Sequence, residues 1–326
     1  MTSTPALFKP IQLSSQITLP HRIGVSPMSM GSSSTATQNQ PTPFHLIHYG
    51  ALALRNPGMI IFESTAVSPD SGMSSKDLGL WDDTQAQKLS EIVDFIHSET
   101  TPSVCCCIQL NHAGRRADPK GTNLVAPSSI PYEGDTIPRC LTIDEIHDIV
   151  TDYADAAERA VKVGHFDAIE IHAGNGCLIH QFLSRITNHR EDIYGVSSRS
   201  RFLLDIIDEI RDERRGIRDV PILVKLPMSD NCTDEGWSIE DAIEVADMLI
   251  ERGVRVIDVT SGGIVKDCQS RYLLNEDKSL PSQVPLAKVL KQHVGERCLV
   301  ACSGGLDRDI ERLNEFRCGI SMDDCG

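Results

Sequence analysis

The sequence has no excess of positive charge: 31 lysines and arginines stand against 46 aspartates and glutamates, a formal net charge of −15. So acidic a chain is repelled by phosphate backbones and anionic lipid surfaces, which excludes nucleic acid and membrane as main partners. There is no run of 18 apolar residues and no charged-then-apolar leader, so a soluble, cytoplasmic protein is expected. Although 11 cysteines are present, no two are spaced C-x-x-C, their number is odd, and three are consecutive at Cys105, Cys106 and Cys107. That pattern argues against zinc and against disulfides; it predicts reduced, mostly buried cysteines that act as small apolar side chains, with no metal site. No repeat, linker or break in composition is evident, so residues 1–326 are expected to form one domain.

What is present is alternation. Short apolar stretches at Ile23–Val25, Met59–Phe62, Ser103–Leu110, Ala168–Ile171, Pro221–Leu226, Arg255–Val259 and Cys298–Ala301 read as strands. Between them lie helical patterns at Phe44–Leu54, Gln85–His97, Arg199–Arg215, Ile239–Glu251, Val284–His293 and Asp307–Phe316. A further helix opens at the capping box Thr142-Ile143-Asp144-Glu145 and runs to about Val163. Seven strand–helix alternations imply a parallel sheet. Polar or glycine-rich residues recur where the strands end, which favours a (β/α)8 barrel, a TIM barrel in the α/β class, over an open sheet. Residues 117–141 form a long loop with four prolines, a length that usually marks a functional segment such as a lid.

The chemistry concentrates after the fourth strand. Ala168–Ile171 releases His172 and Asn175 into a turn loosened by Gly174 and Gly176, at the end of a parallel strand where ligands bind. An imidazole and a carboxamide three residues apart can both donate to one oxygen, as holding and polarising a substrate carbonyl requires. The same spacing suits a histidine satisfied within a barrel mouth, and spacing alone leaves both readings open.

Taken in order, Ser26-Pro27-Met28, Ile108-Gln109-Leu110, His112-Ala113-Gly114-Arg115, Ile169-Glu170-Ile171-His172 and Asn188-His189-Arg190-Glu191-Asp192-Ile193-Tyr194-Gly195 resemble the old yellow enzyme family of flavin-dependent ene-reductases, over about Leu7 to Phe316. The resemblance implies a (β/α)8 barrel with FMN across its mouth. It also implies an NAD(P)H-consuming activity, with NADPH or NADH as reductant, on the C=C bond of an enone or enal. By the same resemblance Pro27, Met28 and Ser29 line the flavin, Ser64 lets the ring approach the second strand, and Gln109 bonds its pyrimidine edge. Lys225 faces the ring where negative charge collects on reduction, Ser303, Gly304 and Gly305 form a phosphate turn, and His172 and Asn175 grip the carbonyl.

Three departures from the family pattern shape the expectations. Cys177 stands where the family has a proton-donating tyrosine, and a thiol is the weaker donor. Ser29 stands where close relatives often carry a redox-tuning cysteine. After Arg317-Cys318-Gly319-Ile320-Ser321-Met322, a candidate closing strand, come only Asp323-Asp324-Cys325-Gly326, without the family's Gly-Arg phosphate pair. The eighth βα unit is therefore expected to be incomplete and FMN binding weak or absent, with an uncovered end that invites a homo-oligomer. Two alternatives stay open: a flavin-free isomerase or cyclase on the same fold, and an inactive scaffold.

Overall fold

The computed structural model describes residues 5–118, 124–232, 236–266, 268, 283–304 and the backbone of 319–322. Eight parallel strands make the wall: β1 (Ile23–Val25), β2 (Met59–Ala66), β3 (Cys105–Asn111), β4 (Ala168–His172), β5 (Ile222–Pro227), β6 (Val256–Thr260), β7 (Leu299–Cys302) and β8 (Gly319–Met322). Each pairs with its sequence neighbours, and β8 pairs with both β7 and β1, so the sheet closes into a barrel. The candidate closing strand therefore forms. The helix read at Asp307–Phe316 lies outside the described residues, as does Asp323–Gly326.

Helices α1 (Pro43–Ala53), α2 (Asp83–Glu99), α3 (Ile143–Lys162), α4 (Leu178–Leu183), α5 (Arg201–Ile210), α6 (Ile239–Glu251) and α7 (Val284–Val294) occupy the connections. The capping box of α3 is closed on both sides: Glu145 N–H donates to Thr142 Oγ1 (3.3 Å) and Thr142 N–H to Glu145 Oε2 (2.8 Å). Sequence periodicity runs α5 too far. The helix stops at Ile210 because the Asp212 side chain accepts from Arg214 N–H (2.9 Å) and starts a separate single turn, Glu213–Arg215. No helix among the described residues is long and apolar enough to cross a membrane.

Strands buried on both faces need apolar residues in succession, and the cysteine run supplies them. Cys106 faces the layer between strands and helices, whereas Cys105 and Cys107 point into the barrel with Met59, Ile61, Ala168, Leu223 and Val256. Leu13, on a two-stranded hairpin of Ile11–Gln12 and Thr18–Leu19, packs into the same inner cluster, and Arg255 Nε holds its carbonyl (3.0 Å). The barrel floor is thus apolar and plugged.

Two cysteines depart from the reduced, buried pattern read from the sequence. Cys232 and Cys268 form a disulfide, with Cα atoms 5.3 Å apart. Spacing arithmetic misses it because the partners are 36 residues apart, on the segments that follow β5 and β6, and the pairing of those two strands brings them together. Cys105, Cys106, Cys107, Cys177, Cys298 and Cys302 are buried and outside any disulfide, as expected, while Cys140 is exposed.

Candidate active site

Strand ends and the segments after them enclose a cavity of about 550 Å³, within the roughly 300–1,000 Å³ usual for ligand pockets. Pro27 and Ser29 line it after β1, Ser64 on β2, Gln109 on β3, His172, Asn175 and Cys177 at and after β4, and Lys225 on β5. Ser303 and Gly304 close one end. Met28 is not part of the lining; Ser26 is. Gly305 lies outside the described residues.

Side chains alternate along a strand, so each expected residue brings an inward companion two positions away. Glu170 lies below His172, Asn111 above Gln109, and Asp258 below Thr260, three companions that the motifs give no role. The register sets Gln109 beside Glu170, and Lys225 beside both His172 and Asp258. A polar belt results. Gln109 Nε2 donates to Glu170 Oε2 (2.6 Å), and Lys225 Nζ donates to Asp258 Oδ2 (2.7 Å). Burial, reinforced by the Asp258 charge, pushes the Glu170 carboxyl up to about 7. Period-two reading of the strands would have found all three companions.

Above the belt, His172 is buried, and its Nδ1 has no hydrogen-bond partner among the described residues. Burial first, then the charges of Lys225, Arg116 and His180, holds its pKa well below the usual histidine range, so the ring is neutral at physiological pH. Asn175 adopts a left-handed conformation (φ 53°), which asparagine tolerates better than most residues. Its Oδ1 accepts from Thr260 Oγ1 (2.9 Å). With the oxygen side of the amide engaged, the NH2 side is what remains for a ligand.

The turn carrying these groups is braced from behind. His180 Nδ1 accepts from Gly176 N–H (2.9 Å), which leaves the proton on Nε2 to meet Asp230 Oδ1 at 2.8 Å. Gln181 ties Gly176 to Ala113 through its Nε2, at 2.8 and 3.0 Å. Gly176 has to be glycine: its φ is +74°, and a Cβ there would stand 2.1 Å from Gly263 O and 3.0 Å from Arg116 Cδ.

Cys177 is buried, hydrogen-bonded by the Asn111 side chain, and pushed up to about 11 by burial. It is therefore a thiol at neutral pH, as a proton donor needs and a nucleophile does not.

The long loop is not structureless, because Val125–Ala126 and Arg139–Cys140 pair as short strands. It is fastened over the cavity by Arg115, whose Nη1 donates to Ile130 O (2.9 Å) and Pro131 O (3.1 Å) and whose Nη2 donates to Ile264 O (2.5 Å). Tyr132 of this loop and Arg116 also line the cavity; no spacing signal in the sequence marks either.

The profile of the NADH:flavin oxidoreductase / NADH oxidase family matches residues 6–311. An NADH:flavin oxidoreductase of Gibberella zeae is 35% identical over 330 residues, covering 92% of this chain and 76% of that protein. An NADPH dehydrogenase of Bacillus pumilus is 41% identical over 263 residues, 80% of this chain and 74% of its own. Among solved structures, morphinone reductase superposes with a TM-score of 0.78 at 27% identity, over 98% of this chain and 86% of its own. With the closed parallel barrel and these matches in hand, the chain belongs to the NADH:flavin oxidoreductase / NADH oxidase family, that of the old yellow enzymes, and is an oxidoreductase.

Proposed function

We propose that the cavity seats FMN and that the protein reduces the C=C bond of an α,β-unsaturated carbonyl compound at the expense of NAD(P)H. The observation that carries this reading is a pair of directed donors, neutral His172 and the pinned amide of Asn175, over a floor of Gln109 and Lys225. The residues suit the cofactor. Gln109 spends its N–H on Glu170 and keeps its carbonyl oxygen for an imide N–H of a ring. Lys225 supplies a cation at the edge where charge accumulates. The Ser303-Gly304 turn, with Gly304 at φ 101°, offers backbone N–H groups to a phosphate. A nicotinamide reductant is supported by morphinone reductase, a structural neighbour solved with tetrahydroNAD bound.

When bound, FMN supplies to the substrate's β-carbon a hydride that originates from NAD(P)H. The protein does the rest by position and charge. His172 and Asn175 donate to the carbonyl oxygen and stabilise the negative charge that develops there. A directed donor of this kind is typically worth about 10²–10³ in rate. Cys177 holds a proton beside the same pocket, and its thiol is a weaker donor than a phenol, so protonation at the α-carbon is the step expected to be slow. The loop tethered by Arg115 lies against these groups and contributes Tyr132 to the cavity lining.

The test is an absorbance titration of the purified protein with FMN, followed by anaerobic bleaching with NADPH and recolouring by 2-cyclohexen-1-one. Recolouring with release of cyclohexanone is the expected result. A protein that stays colourless as FMN is added, or turns over the enone without flavin, defeats the proposal.

A further inference from the structure

In a chain with 46 acidic residues, no aspartate or glutamate is among the described residues that line the cavity, whereas Arg116, Lys225 and Lys266 all do. Two of these cations are neutralised by the protein. Lys225 pairs with Asp258 at 2.7 Å, and Lys266 pairs with Glu133 at the rim. Arg116 has no carboxylate partner among the described residues. Its guanidinium donates through Nη1 to the backbone oxygen of Asn175, its Nε is buried without an acceptor among the described residues, and its Cζ lies 4.8 Å from the Tyr132 ring centroid. A guanidinium carries five N–H donors, so most of this one's capacity is unspent. A half-buried cation without a counter-ion is costly, and an arriving anion removes that cost.

Position decides what the anion is. Arg116 touches the residue whose side chain is assigned to the carbonyl, and its stem passes over Gly176. A group held by Arg116, which follows β3, is therefore adjacent to the carbonyl grip and across the barrel mouth from the Ser303-Gly304 turn after β7, the end assigned to phosphate. A planar guanidinium stacked on an aromatic ring matches a carboxylate in a way an ammonium does not. Resting on the reductase reading above, we infer that the substrate is an α,β-unsaturated carbonyl compound bearing a carboxylate near its carbonyl, and that Arg116 selects it.

A matched pair of probes isolates the charge: 4-oxopent-2-enoate and its methyl ester, which share one carbon skeleton. The measurement is the ratio of kcat/KM for acid over ester in the FMN-loaded protein and in its Arg116→Gln and Arg116→Lys variants. The ratio is expected to fall at least tenfold in Arg116→Gln, mainly through KM, and to recover in part in Arg116→Lys. Binding of the saturated acid, 4-oxopentanoate, measured by calorimetry, should weaken in parallel and does not depend on turnover. An unchanged ratio overturns the inference. So does an equal loss on acid and ester, which would assign Arg116 to the carbonyl charge itself, or a rise confined to the KM for NADPH, which would assign it to the reductant's phosphates. If the ester is reduced and the acid is not preferred over it by Arg116, only this inference fails. If 2-cyclohexen-1-one is reduced and neither of these compounds is, only this inference fails; if none of the three is reduced, the reductase reading fails and this inference falls with it.

Discussion

Replacing Thr260 by valine keeps shape and volume and removes one atom's chemistry, the hydroxyl that donates to Asn175 Oδ1 at 2.9 Å. Without it the carboxamide loses the contact that distinguishes its oxygen side from its nitrogen side. A flipped amide presents oxygen to the substrate's oxygen, replacing attraction by repulsion. Leaving an acceptor unpaired costs about 1–3 kcal/mol when buried. Asn175 is only half-buried, so the lower part of that range applies. At 1.4 kcal/mol per factor of ten, kcat/KM for an enone should drop about 5- to 20-fold. Steady-state assays with FMN-saturated protein measure it, and reduction of the flavin by NADPH alone serves as a comparison free of the enone. The decisive experiment is a double-mutant cycle with Asn175→Ala. Because Thr260 acts through Asn175, the double variant should lose no more than Asn175→Ala alone. Additive losses, or a Thr260→Val enzyme indistinguishable from the parent, would refute the reasoning.

Cys177, pushed up to about 11, should resist alkylation at pH 8, where roughly one thiol in a thousand is ionised. Mass mapping should find exposed Cys140 labelled at least a hundredfold faster, and comparable labelling of Cys177 would contradict its buried, protonated state. Glu170 is raised from an ordinary 4.5 to about 7, so the folded protein keeps a proton that the unfolded chain releases. The sign follows: its contribution is fully present below pH 4.5 and is lost as pH rises through 7, by about 3 kcal/mol at most. Melting temperature should therefore decline less from pH 5 to 8 in Glu170→Gln than in the parent, and parallel declines would exclude Glu170 as the source. The Cys232–Cys268 bond closes a loop over 36 residues of sequence, worth about 4 kcal/mol on a chain-entropy basis. Cys232→Ser/Cys268→Ser should unfold at lower denaturant than the oxidised parent and match the reduced parent; equal midpoints for all three would mean that the bond does not form.

The barrel was legible because its signals are local. The run Met59–Phe62 and the capping box at Thr142 each show in a few consecutive residues what the chain does there. Gln109, His172, Asn175, Cys177 and Lys225 were legible through motif order, and all of them meet at one cavity. What escaped depends on which strands lie side by side. Asp258 matters because β6 lies beside β5, and Cys268 because the segments following those two strands converge. Arg116 and Tyr132 come from a loop whose path is set by Arg115 reaching carbonyls 15, 16 and 149 residues away, a distance no periodicity covers. The end of α5 turned on one side-chain acceptor, Asp212, competing with a helical pattern that continued on paper.

The hairpin that carries Leu13 stoppers the barrel from below, so traffic reaches the working groups through the upper doorway. On the flavin reading proposed above, the cavity of about 550 Å³ takes the prosthetic ring and one visitor of nicotinamide size at a time. The donor of electrons and their recipient are then expected to come and go in turn. Reciprocal plots of rate against one, at several fixed levels of the other, should therefore run parallel; intersecting lines would call for a second way in.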